Sequence, residues 1–102
     1  MNLIDSNIEN IRLLCNSHRV NHLYAFGSVL SQNFNSESDI DFIVDFSPMD
    51  LNAYASNYYN LKFSLQQLLN RKIDLLEAQA IKNPFFRQKV EQQKKLIYGH
   101  SD

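Results

Sequence analysis

The chain has 102 residues, a formal net charge of −1, and is 44% hydrophobic and 21% charged. That length supports one core, so a single domain over residues 1–102 is expected, and the composition excludes a disordered chain or one built to coat nucleic acid. The one cysteine, Cys15, excludes an internal disulfide and Cys-based zinc sites, and no apolar run approaches the ~18 residues of a membrane span.

Ile4, Ile8, Ile11 and Cys15 recur at helical spacing, with Leu14 beside them. Ser6-x-x-Glu9 reads as a capping box, which predicts a first helix from about residue 6 to His18. Leu23 to Phe26 is a short apolar run stopped by Gly27-Ser28, a buried strand entering a tight turn. Ser31 to Ser38 is polar and reads as a loop. From Asp39 to Phe46 the residues alternate. Ile40, Phe42, Val44 and Phe46 point one way, and Asp39, Asp41, Ile43 and Asp45 the other.

Leu51, Tyr54, Tyr58, Leu61, Leu65 and Leu68 step by three and four and predict a long amphipathic helix over 51–69, with Asn70 as its stop. Tyr54 and Tyr58 are expected in the core and Tyr59 on the surface. Ile73 to Leu76 is a third strand. Asn83-Pro84 is an N-cap followed by Pro at the first helical position, opening a last helix to about Lys95. Leu96 to Tyr98 either extends it or forms a final strand. The expected fold class is α/β in the broad sense (α+β): a small mixed sheet packed against helices.

Charge is segregated along the chain. Val20 to Leu61 contains no Lys or Arg but five acids: Glu37, Asp39, Asp41, Asp45 and Asp50. Lys82, Arg87, Lys89, Lys94 and Lys95 cluster near the C-terminus. Acids without counter-charge repel one another unless a cation or a basic element neutralises them. On a strand, Asp39 and Asp41 project from one face about 6–7 Å apart. Hard oxygen donors in such a pair suit Mg²⁺ or Mn²⁺. Gly27 would let a phosphate approach the backbone, and the Ser28 hydroxyl with free N–H groups would bind an anion. Asp74 is an acid within the apolar strand 73–76, where an unpartnered carboxylate is costly; a salt bridge to Arg71, Lys72 or a helix residue would also account for it. Asp45 lies further along its strand and reads as peripheral. His18, His22 and His100 have no metal-ligand spacing.

Gly27-Ser28, Asp39-x-Asp41 and a distant strand Asp74 together resemble the nucleotidyltransferase superfamily that includes DNA polymerase β. The segment from Phe26-Gly27-Ser28 to Ser38-Asp39-Ile40-Asp41-Phe42 is similar to the minimal nucleotidyltransferases (MNT), antitoxins encoded beside HEPN-domain toxins. The resemblance covers about residues 20 to 77. It implies a polymerase β-like fold in which Asp39 and Asp41 hold two Mg²⁺ ions, with Mn²⁺ as an alternative. It also implies that Asp74 ligates the catalytic ion beside the attacking hydroxyl, and that Gly27 and Ser28 cradle the phosphates. Many relatives carry Arg after the Gly-Ser and a Gly further on, where this chain has Val29 and Gln32. Lys62 or Lys72 could supply the missing positive charge.

The implied activity is Mg²⁺-dependent transfer of AMP from ATP to a hydroxyl, with a tyrosine of a cognate HEPN ribonuclease toxin as acceptor. The chain is too short for an acceptor-binding domain of its own, so that site would be shared with the partner or with a second copy of the chain. A non-catalytic antitoxin, or a nucleotide-sensing subunit that acts by binding, is the alternative. The N-terminal sequence shows no secretory signal, and a cytoplasmic protein with no membrane contact and no direct nucleic-acid binding is expected.

Overall fold

The structure is a computed structural model that describes residues 3–30 and 38–100, with Ser28 placed by its backbone only. The expected loop thus lies outside the described residues except for Ser38, and so does Gln32. Helices α1 (Leu3–Ser6) and α2 (Ile8–Ser17) lead into β1 (Val20–Phe26) and a 3₁₀ turn over Gly27–Leu30. There follow β2 (Ile40–Phe46), α3 (Leu51–Leu69), β3 (Ile73–Glu77), α4 (Pro84–Gln93) and β4 (Lys95–Tyr98). No described helix is long and apolar enough to cross a membrane.

The four strands form one mixed sheet in the order β3-β2-β1-β4. β1 pairs antiparallel with β2 and β4, whereas β2 pairs parallel with β3. The long connection through α3 is what a parallel pair requires. On one sheet face Leu23, Ala25, Ile40, Phe42, Val44, Ile73 and Leu75 pack against Ile11 and Cys15 of α2 and Leu61, Leu65 and Leu69 of α3. On the other face Phe26 and Ile43 pack with Ile81 and with Val90 of α4. The alternation in β2 therefore sorts its residues as expected, and the aspartates lie on the face that α4 only partly covers.

Two helix boundaries follow the sequence closely. Asn70 adopts the left-handed conformation that ends α3 (φ 53°). The Asn83 side chain accepts from the Phe85 and Phe86 N–H groups at 2.9 and 3.1 Å, with Pro84 opening α4. Others differ. The expected capping box does not form: the N-cap is Asn7, and the chain is already helical from Leu3 to Ser6. Asn7 instead donates its side-chain amide to the Leu3 carbonyl at 2.9 Å, ending that first turn. Leu51 matches the apolar stripe of α3 but is 87% exposed, and the buried residues of that helix begin at Leu61. Tyr58 packs against the core, Tyr54 is half-buried with its ring edge-on to Phe46, and Tyr59 is exposed.

Candidate functional site

The backbone brings together residues that are far apart in sequence. Phe26 of β1 lies opposite Asp41 of β2, and Asp41 lies opposite Asp74 of β3. Side chains at matched positions share a face, so Asp41 and Asp74 project side by side across the parallel pair. Asp39 stands two residues before Asp41 at the entry to β2, on the same face, and is exposed. Asp41 and Asp74 are half-buried. Asp74 is therefore less buried than its apolar strand suggests. Among the described residues it forms no ion pair with Arg71 or Lys72. Its neighbour is instead the Asp41 carboxyl, which stands opposite it in the parallel register.

Burial first, and then the neighbouring Asp74 and Asp39 carboxylates, together push the Asp41 carboxyl up to about 6. A cation placed among these oxygens would relieve all but the burial cost. The donor set fits a divalent ion in charge and in hard-oxygen chemistry. It does not form a closed cage, since no group of three His, Cys, Asp or Glu among the described residues could hold a metal ion by itself.

Gly27 forms the wall beside Asp41. Its φ is +81°, and a Cβ at this position would lie 2.8 Å from Asp41 Oδ2. Glycine is needed here for both the backbone conformation and the close approach. A Gly27→Ala variant is expected to displace the Asp41 carboxylate and lower nucleotide affinity by about tenfold, the effect of misplacing a positioned group. Calorimetric titration with ATP and Mg²⁺ measures it.

Of the remaining candidates, Asp45 is indeed peripheral. It accepts from Asn21 at 3.1 Å and lies 3.1 Å from His22 Nδ1. His22, to which spacing assigned nothing, is thus the partner of the last acid on this strand. Val29, where many relatives carry Arg, is buried in the helix-side core and packs there rather than beside the carboxylates. Lys62 is half-buried on α3 and Lys72 exposed before β3, and neither forms an ion pair with the three aspartates. A hollow of about 780 Å³ between α2 and α3 lies away from this site, and no charged residue lines it.

Sequence and structure comparisons converge on one family. The profile of the family "Polymerase beta, Nucleotidyltransferase" matches residues 9–102. Two Methanocaldococcus jannaschii proteins, each named as a candidate protein adenylyltransferase, are 31% and 32% identical over 87 residues, with 85% of this chain and 84% of each relative covered. A solved structure of a candidate minimal nucleotidyltransferase superposes with a TM-score of 0.76 at 25% identity, covering 93% of this chain and 95% of the other. A toxin–antitoxin structure with AMP-PNP gives 0.71 at 25% identity, covering 92% and 74%. The complex of a tri-AMPylated Shewanella oneidensis HEPN toxin with its MNT antitoxin shares the fold, at 0.63 and 23% identity over 94% and 72%.

Proposed function

The chain belongs to the polymerase β-type nucleotidyltransferase family, on its minimal (MNT) branch, and from that premise we propose that it moves AMP from ATP to a tyrosine hydroxyl of a HEPN-type toxin, acting as the antitoxin of the pair. The observation that carries this reading is the set of three carboxylates gathered beside the Gly27 backbone. The names of the relatives add support. Those of M. jannaschii are named for protein adenylyl transfer, and the toxin–antitoxin structure contains an ATP analogue.

In the proposed reaction the acceptor oxygen bonds to the α-phosphorus, the bond from that phosphorus to the bridging oxygen breaks, and pyrophosphate leaves. A bound divalent cation, Mg²⁺ or Mn²⁺ and two ions in the full site, supplies Lewis acidity and screens the triphosphate. Asp39 and Asp41 hold the ion–phosphate assembly from one strand. Asp74 approaches from the neighbouring strand and would take the proton of an attacking hydroxyl that comes within hydrogen-bond reach of it. The Gly27–Ser28 turn leaves the phosphates room at the backbone. Lys72, which directly precedes β3, is the candidate for their remaining charge, whereas Lys62 lies on α3, which packs on the opposite sheet face.

Incubating the chain with ATP, Mg²⁺ and a HEPN-type partner, then mapping the partner by mass spectrometry, tests the reading. The expected product is a partner tyrosine bearing AMP, absent when metal is chelated. An unmodified partner that is nevertheless neutralised would favour an antitoxin that acts by binding alone.

A further inference from the structure

Among the described residues β3 is an edge strand, so one side of its backbone has no strand partner there. The Ile40 N–H bonds the Lys72 carbonyl at 3.0 Å, and Ile40 is in register with Ile73. In a parallel ladder this directs the peptide groups of residues 72, 74 and 76 toward β2 and those of 73, 75 and 77 outward. The outward groups are met by one helix. Gln66 Oε1 accepts from the Ile73 N–H at 3.4 Å, and the Tyr58 hydroxyl donates to the Leu75 carbonyl. Beyond them, Tyr54 and Glu77 line one shared hollow. The spacings agree, since four residues of helix rise ~6 Å and two residues of strand ~6.6 Å. Tyr54, one turn before Tyr58, therefore stands beside Glu77, two residues beyond Leu75, and the longer reach to Ile73 falls to a glutamine.

We infer that α3 laces the open edge of β3 through Tyr58 and Gln66, and that these are positioning residues for Asp74, holding it in register with Asp41. The Asp74 side chain stands on the strand residue between the two peptide groups that α3 grips, Ile73 and Leu75. A slip of one residue would turn Asp74 to the helix-side core and bring an apolar residue to the carboxylate face. The same lacing covers the edge against pairing with another chain. The part of this inference that concerns catalysis rests on the proposed role of Asp74. The part that concerns register does not.

The test is Tyr58→Phe, which removes one hydroxyl and keeps the ring. Gln66→Leu is the companion variant, and Gln66→Glu, which keeps an acceptor oxygen, is the rescue. Amide hydrogen exchange comes first. Exchange of the Phe42 and Asp74 N–H groups should quicken by about tenfold in Tyr58→Phe and Gln66→Leu, the ratio one hydrogen bond supports. The β1–β4 amides should not change, and Gln66→Glu should restore protection. Unchanged exchange at Phe42 and Asp74 overturns the inference whether or not the protein is an adenylyltransferase. In transfer assays Tyr58→Phe should lower kcat by about tenfold with the KM for ATP unchanged, and should add nothing in an Asp74→Asn background. A purely structural tyrosine would give additive losses there, which would remove the positioning role. Absence of transfer in the unsubstituted protein would instead count against the proposed function and leave the exchange result to decide the register.

Discussion

Asp74→Asn is expected to lower adenylyl transfer by at least ~10²-fold, the usual scale for losing a positioned general base, and to leave ATP binding nearly intact. The change is almost isosteric. The amide removes a charge facing Asp41 and can donate to it, so the β2–β3 pair and the fold should persist. Asp39, Asp41 and the Gly27–Ser28 turn would still receive the phosphates. What is lost is the acceptor for the hydroxyl proton. The comparison needs nucleotide affinity by calorimetry and initial rate with the partner on the same folded variant. Near-normal transfer would make Asp74 a structural acid that happens to neighbour Asp41.

Asp41→Asn is expected to have a larger effect on transfer, about 10³-fold or more, since charge stabilisation through a held cation is worth several kcal/mol. Nucleotide affinity should fall with it, unlike in Asp74→Asn. The same variant should stabilise the metal-free protein. The Asp41 carboxyl, raised from 3.8 to about 6 by burial and by its two acidic neighbours, keeps a proton in the folded chain that the unfolded chain has already released. More protons bound to the folded state means that stability falls as pH rises through that window, and the cost is complete above it. Solvent screening at this half-exposed site leaves about 1 kcal/mol, or a Tm difference of about 4–8 °C for a domain of this size. Melting curves in chelator should therefore show little difference between variant and unsubstituted protein below pH 4, and a gain for Asp41→Asn above pH 6. Added Mg²⁺ with ATP should narrow the gap by stabilising the unsubstituted protein. A variant less stable at pH 7 in chelator would contradict the crowding of charge at this site.

Much of this arrangement can be read along the chain because it follows from local periodicity. The alternation from Ile40 to Phe46 requires only that one sheet face be covered, and it puts Asp39 and Asp41 on the other face. The step of three and four from Tyr54 to Leu68, the αL-tolerant Asn70 and the Asn83-Pro84 pair each act within one or two turns, and they fix α3 and the start of α4. Whatever depends on distant pairing is not legible in this way. β1 begins at Val20 rather than Leu23, because the backbone of its polar start pairs with Phe46 and Asp45 through an irregular register that no apolar pattern marks. Lys95 to Tyr98 joins the sheet beside β1 instead of extending α4, a choice set by the free edge waiting there. Asp74 looked like a buried acid in search of a lysine. Its actual neighbour is another carboxyl, set opposite it by the parallel register of two strands that α3 separates in sequence. Val29 shows the same limit: its place in the motif suggested a missing cation, and only the packing shows that the position faces the core.

The central claim is that Asp39, Asp41 and Asp74 form one metal–triphosphate centre beside Gly27. Paramagnetic broadening by Mn²⁺ in the presence of a non-hydrolysable ATP analogue tests it most directly, read on the aspartate carboxyl signals and the Gly27 amide. The account predicts that Asp39, Asp41, Asp74 and Gly27 lose intensity together at the lowest Mn²⁺ additions, while Asp45, held by Asn21 and His22, and Asp50, at the start of α3, keep theirs. Broadening that begins at Asp45 or Asp50, or that spares Asp74, would contradict it.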